Sequence, residues 1–148
     1  MAKRVLVVDD DATIRELLVS ALRRRDLLLD EASDGREALD LLRQNIYSVV
    51  LLDLLMPEID GFGVLDEIGS ALATPVVLVI TGADRSIIKE LDSQKIHGVV
   101  RKPFDPDELA NIVVACAEIK NRRGFETMAI SAMIAGGQLI AWLNRFGG

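Results

Sequence analysis

The chain has little of what metal–thiolate, disulfide or nucleic-acid chemistry requires. Its 148 residues include one cysteine, Cys116, and one histidine, His97. A lone cysteine closes no internal disulfide, which fits a reducing, cytoplasmic setting. Cys116 lies in an apolar helical stretch and is expected to face a core, whereas His97 reads as a loop residue. There is no basic stripe or basic tail, and the net charge of -6 argues against nucleic acid as a direct ligand. Low-complexity segments and internal repeats are absent. After Lys3-Arg4 the apolar run is only four residues long before acid interrupts it, too short for the h-region of a signal peptide. Half of the residues are apolar, so a packed core rather than disorder is expected, in one domain with a small appendage.

What the chain does have is strand-like, largely apolar runs that end in chemistry. Val5-Leu6-Val7-Val8 runs into Asp9-Asp10-Asp11, Tyr47 to Leu52 ends in Asp53, Val76 to Ile80 ends in Thr81, and Gly98 to Arg101 ends in Lys102. Continuous apolar runs of this length read as buried parallel strands. Between them, helical spacing places Ile14, Leu17, Leu18, Ala21 and Leu22 on one face of Ala12 to Arg25. Further helices carry Ala38, Leu41 and Leu42, then Val64, Leu65 and Ile68, then Ile87, Ile88 and Leu91, and a last one runs from Pro106 to about Lys120. Leu27 to Ala32 completes a set of five strands. Strands alternating with helices imply right-handed crossovers and a parallel, doubly wound α/β sheet. In such sheets ligands bind at the carboxyl ends of the strands.

Asp9, Asp10 and Asp53 would then meet at one edge, on strands spaced about 4.8 Å apart. Carboxylates that close repel one another unless a cation intervenes. An all-oxygen donor set without His or Cys favours a hard ion such as Mg²⁺. Asp53 is suited to act as an oxygen nucleophile in phosphoryl transfer, which needs charge neutralisation and positioning above all. Lys102 would pair with a phosphoryl oxygen and Thr81 would donate a hydroxyl to another. Asp11 is expected to cap the first helix, Arg23-Arg24-Arg25 to form its cationic last turn, and Glu58 and Asp60 to belong to the loop after Asp53.

The ordered set Asp9-Asp10, Asp53 in Leu-Leu-Asp-Leu-Leu-Met-Pro, Asp60-Gly61, Thr81-Gly82 and Lys102-Pro103-Phe104 resembles the receiver domain of the two-component response-regulator family, chemotaxis-regulator-like, over residues 1 to about 121. The resemblance implies a flavodoxin-like strand order 2-1-3-4-5, an architecture for which a receiver is itself a standard example. It also implies Asp53 as phosphoacceptor, Asp10 as a direct Mg²⁺ ligand, Asp9 as a ligand largely through water, and the Leu55 carbonyl as a further ligand. Thr81 would be the switch hydroxyl, Lys102 the phosphoryl-binding cation, and the Lys102-Pro103 bond cis. Three positions depart from the family pattern. Val99 stands where an aromatic often reorients with the threonine, and Leu55 and Ala83 are apolar where polar groups often affect dephosphorylation.

The expected function is signalling rather than enzymatic turnover: a histidine kinase or phosphotransfer protein phosphorylates Asp53, and the changed surface alters contacts with a downstream protein partner. The chain would catalyse only its own phosphorylation and dephosphorylation. The alternatives are a phosphorylation-independent interaction module with the receiver fold, and an N-terminal receiver of a larger regulator. A metal-dependent phosphohydrolase acting on an external substrate would need a pocket-forming insertion and a second acid positioned as general base, both of which the sequence lacks. Beyond Gly124, a candidate helix cap, Phe125, Met128, Ala132, Ala135, Leu139, Trp142 and Phe146 step by three and four along one helical stripe. Residues 122–148 therefore read as an apolar helical extension of a 1–121 receiver, packing on its own domain or pairing with a second copy through 125–146. Thr127 to Asn144 is uncharged but barely 18 residues long and interrupted by Gly136-Gly137, short for a membrane span.

Overall fold

The computed structural model describes residues 3–69, 75–120 and 139–140. In chain order the elements are β1 (Lys3–Val8), α1 (Ala12–Arg23), β2 (Leu27–Ala32), α2 (Gly35–Gln44), β3 (Val49–Leu52), α3 (Gly61–Gly69), β4 (Val76–Thr81), α4 (Arg85–Ile88), β5 (Gly98–Arg101), α5 (Pro106–Lys120) and β6 (Leu139–Ile140). The five strands β1 to β5 are parallel in the order 2-1-3-4-5, as expected, and β6 adds two antiparallel residues beside β5.

Strand alternation sorts the core into two layers. Val5, Val7, Val49, Leu51, Val76, Leu78, Ile80 and Val100 face α1 and α5, where Leu18, Leu22, Leu109, Val113 and Cys116 pack against them. Leu6, Val8, Val50, Leu52, Val77, Val79 and Val99 face the other way, toward Ala38 and Leu39 of α2, Val64, Leu65 and Ile68 of α3, and Ile88 of α4. Because both faces are covered, Val5–Val8 of β1 and the whole of β3 read as unbroken apolar runs, as does β4 up to Thr81, with each buried Val, Leu or Ile contributing about 1.5–3 kcal/mol. Burial also pushes the Cys116 thiol up to about 12, so it behaves as a small apolar side chain.

The helix ends follow their caps. The Asp11 carboxylate accepts the N–H groups of Thr13 and Ile14, as expected of it. Asp34 caps α2 through Glu37 N–H, while the Glu37 carboxylate accepts both the N–H and the hydroxyl of Ser33, a reciprocal arrangement that fixes the entry to the helix. Asp60 caps α3 through Gly63 N–H.

Four expectations need correction, the simplest being that the helix expected to carry Leu91 ends at Ile88, with Leu91 buried beyond it. Leu17 is exposed and Val19 takes its place in the core beside Leu18, Ala21 and Leu22. The third strand begins at Val49 rather than Tyr47, since Tyr47 turns its hydroxyl to Asp30 instead of entering the ladder. The helical stripe expected over Phe125–Phe146, and the Gly124 cap, lie outside the described residues except at Leu139–Ile140, which are extended and paired with Val100 and Val99 rather than helical. Two helix-weakening glycines precede that pair in the sequence.

Away from the carboxyl edge, Asp30 of β2 ties β1 and the segment leading into β3 together. Its Oδ2 accepts from Arg4 Nη1 at 2.8 Å and from the Tyr47 hydroxyl at 2.7 Å. Burial pushes the Asp30 carboxyl up, but the hydrogen bonds from Tyr47 and Arg4 outweigh it and hold the group below the usual carboxylate value. The folded chain thus keeps Asp30 ionised to lower pH than the unfolded chain does. Its contribution is present above the ordinary carboxylate pKa of about 3.9 and fades as the pH falls through and below that value. Tyr47→Phe removes one donor and should cost about 1 kcal/mol at neutral pH. Urea denaturation should show this gap from wild type narrowing toward about pH 3; a gap that stays constant with pH would assign the loss to packing rather than to the carboxylate.

Candidate functional site

The carboxyl edge of the sheet collects the reactive side chains through one repeated device. Asp9, Asp53 and Lys102 each stand one residue past a strand yet keep a last ladder hydrogen bond. Asp9 N–H donates to the Ala32 carbonyl at 3.2 Å, Asp53 N–H to Val8 at 2.9 Å and Lys102 N–H to Thr81 at 2.9 Å. Their backbones are therefore as fixed as the sheet itself, while their side chains project beyond it. Thr81 is the last residue of β4 and is fully buried.

Asp9, Asp10 and Asp53 bring carboxylate oxygens within 4.8 Å of one another, and among the described residues they are the one group of three or more His, Cys, Asp or Glu that could hold a metal ion. Asp9 and Asp53 are buried and Asp10 is exposed. Burial and the charge of Asp9 push the Asp53 carboxyl up to about 6, against the opposing pull of Lys102 and the Leu55 backbone hydrogen bond. Lys102 Nζ lies 2.8 Å from Asp9 Oδ2 and 3.7 Å from Asp53 Oδ2. Burial pushes the Lys102 ammonium down, but the Asp9 hydrogen bond and the charges of Asp53 and Asp9 reverse this and raise it. One ammonium set against three carboxylates leaves excess negative charge in a half-closed site. That excess and the all-oxygen donor set fit a hard divalent cation such as Mg²⁺.

The loop after Asp53 returns sharply over the site. Gly61 N–H donates to the Leu54 carbonyl at 2.9 Å. A Cβ on Gly61 would stand 2.4 Å from the Asp53 carbonyl oxygen and 2.7 Å from Leu54 Cα, so only glycine lets α3 start this close to the strand end. Glu58 takes a positive φ of 62° in the same loop and, like Asp60, stays in the loop as expected. Leu55 is exposed at the lip of the site, and its backbone bonds the Asp53 carboxyl. Thr81 Oγ1 accepts Ala83 N–H at 3.0 Å, which leaves the hydroxyl proton to donate elsewhere. The Lys102-Pro103 peptide is cis.

The residues expected to hold the metal or the phosphoryl group thus all lie at this edge: Asp9, Asp10, Asp53, Leu55, Thr81 and Lys102. Val99 and Ala83 are buried, so neither offers a polar or aromatic group to the surface. His97 precedes β5, where its Nδ1 accepts Val77 N–H at 3.0 Å. One neighbour of the site was not foreseen. Arg15, in the first turn of α1, donates from Nη1 to the Asp9 carbonyl at 2.7 Å and sets Nε 3.6 Å from Glu31 Oε1. Its signal in the sequence is a cation at the positive end of a helix dipole, a place that disfavours it unless an anionic or carbonyl partner is near.

Comparison with known proteins agrees with this architecture. The family described as the response regulator receiver domain matches residues 5–114. The probable transcriptional regulator ycf27 of Guillardia theta is 37% identical over 128 residues, covering 84% of this chain and 49% of the relative. The transcriptional regulatory protein SrrA of Staphylococcus aureus is 36% identical over 110 residues, covering 74% of this chain and 45% of the relative. The chain therefore spans about half the length of the curated relatives it matches. Among solved structures, the receiver domain of the Francisella response regulator 1452 superposes with a TM-score of 0.71 at 28% identity, over 78% of this chain and 97% of that one. The response regulator TrrA of Thermotoga maritima, solved in complex with Mg²⁺-BeF, superposes with a TM-score of 0.69 at 35% identity, over 77% of this chain and 98% of that one. With a family match running from β1 into α5 and a sheet of the same order, the chain belongs to the response regulator receiver domains of two-component systems.

Proposed function

We propose that this chain accepts a phosphoryl group on Asp53 in a Mg²⁺-dependent reaction and thereby switches its contacts with a downstream protein. The observation that carries this reading is the position of Lys102 Nζ between the carboxylates of Asp9 and Asp53, at 2.8 Å and 3.7 Å. That arrangement provides a nucleophilic oxygen and a fixed cation for the oxygens of an incoming phosphoryl group. The donor would be a phosphohistidine on a histidine kinase or phosphotransfer protein. An Asp53 oxygen attacks phosphorus, the donor's P–N bond breaks, and its imidazole leaves with the electron pair. Thr81 donates its hydroxyl to one phosphoryl oxygen and Lys102 neutralises another.

Asp9, Asp10, Asp53 and the Leu55 carbonyl would hold the Mg²⁺, with Asp9 acting largely through water. When bound, the ion supplies neutralisation of the charge that gathers on the transferring group. The chain then works as a signalling domain that catalyses only its own phosphorylation and dephosphorylation. We place its action in the cytoplasm, the setting that membership of the receiver-domain family implies; no described helix is long and apolar enough to cross a membrane. We assign residues 1–121 to the receiver and 122–148 to an appended apolar segment suited to self-association. A second reading for the output has its own support: relatives about twice as long are named transcriptional regulators, which favours a linked effector in place of free protein contacts.

Incubation with a small-molecule phosphodonor and Mg²⁺ should add one phosphoryl group by intact-protein mass spectrometry, and Asp53→Asn should abolish the addition. Undiminished labelling of that variant would move the acceptor elsewhere. Mg²⁺ should also raise the melting temperature, since a ligand bound only by the folded state adds about 2.7 kcal/mol at a hundred times its Kd. Asp10→Ala should remove most of that gain. Identical melting of the wild type with and without Mg²⁺ would favour the phosphorylation-independent module instead.

A further inference from the structure

Arg15 is a charged side chain at this edge that phosphoryl transfer does not use. It sits at the fourth position of α1, where no acid balances it within the first turn, and its side chain is only 19% exposed. Its charge is matched instead outside the helix. Nη1 donates to the Asp9 carbonyl at 2.7 Å, and Nε lies 3.6 Å from the Glu31 carboxylate on β2.

That carbonyl belongs to the peptide joining Asp9 to Asp10. The same Asp9 is held on its other sides by its N–H in the ladder with Ala32, by Lys102 Nζ on Oδ2 and by Asp11 N–H on Oδ1 at 2.9 Å. Without Arg15, the one polar group of the Asp9–Asp10 peptide known to be gripped loses its partner. Asp10, an exposed side chain past the end of β1, then has little to fix its direction. A guanidinium is suited to this task because it is planar, always charged and able to meet a carbonyl and a carboxylate together.

We infer that Arg15 is a positioning residue that locks the Asp9–Asp10 peptide, with Glu31 aiming the guanidinium, so that both acids converge with Asp53 on one cation. This rests on the Mg²⁺ reading above, and it adds a residue outside the carboxylate cluster to the parts that set the ion's affinity. Loss of a partner that orients metal ligands typically costs about 10–100-fold in affinity.

The test is a calorimetric Mg²⁺ titration of the unphosphorylated full chain, with melting followed in parallel. Arg15→Gln should raise the Mg²⁺ Kd by about tenfold. Arg15→Lys should recover part of the affinity, because an ammonium still reaches one acceptor. Glu31→Gln should shift Kd in the same direction by a smaller factor, and it provides the measurement if Arg15→Gln does not fold. Arg24→Gln, which loses only an exposed pair with Asp107, should leave Kd unchanged. A lowered melting temperature with an unaltered Kd in both the Arg15→Gln and Glu31→Gln chains would make the role merely structural and overturn the inference alone. A wild type that binds no Mg²⁺ would remove the parent reading, and this inference with it.

Discussion

Mutual repulsion among Asp9, Asp10 and Asp53 is the constraint on which the rest of the molecule depends. Three carboxylates within 4.8 Å, two of them buried, are unfavourable in any unassisted fold. The response is visible in the Asp53 carboxyl, pushed up to about 6, and in the Lys102 ammonium drawn between two of the acids. The chain brings together charges that a stability-driven design would separate, and the arrangement persists because the sheet beneath it is strong enough to hold them.

That strength comes first from apolar burial. β1, β3 and β4 are covered on both faces, and the ladder bonds of Asp9, Asp53 and Lys102 carry the sheet's rigidity one residue beyond the strands. Positioning at this edge thus requires no large loop scaffold. It requires only that parallel strands end in register and that the following peptide remain bonded. Gly61 completes the arrangement by letting α3 begin against the Asp53 backbone, where any side chain would force the loop outward. Rigidity of this kind favours preorganised chemistry, because little rearrangement is needed when charge arrives.

Much of this was legible in the sequence because the signals were local and physical. An apolar run ending in acid marks both a buried strand and its carboxyl end, so Asp9, Asp53, Thr81 and Lys102 could be gathered onto one edge before any coordinates. What was not legible depended on how elements lean against each other. Leu17 and Val19 exchanged roles because helical spacing defines a stripe but not which of its edges meets the core. Tyr47 reads as a strand residue by composition, yet its hydroxyl has a better partner in Asp30 across the sheet. Arg15 escaped notice for a related reason: its partners are a main-chain carbonyl and a carboxylate on another strand, neither of which any spacing rule reveals.

The apolar positions around the site carry a last consequence. Leu55 lies exposed at the lip and Ala83 is buried beside Thr81, whose Oγ1 is already engaged by the Ala83 N–H. A water attacking a phosphoryl group on Asp53 would need a polar side chain to orient it, and neither position supplies one. The hydroxyl proton of Thr81 and the ammonium of Lys102 are donors, suited to hold a charged group in place rather than to activate its removal. Val99 is closed into the core, so this position offers the surface no aromatic side chain that could swing between two states.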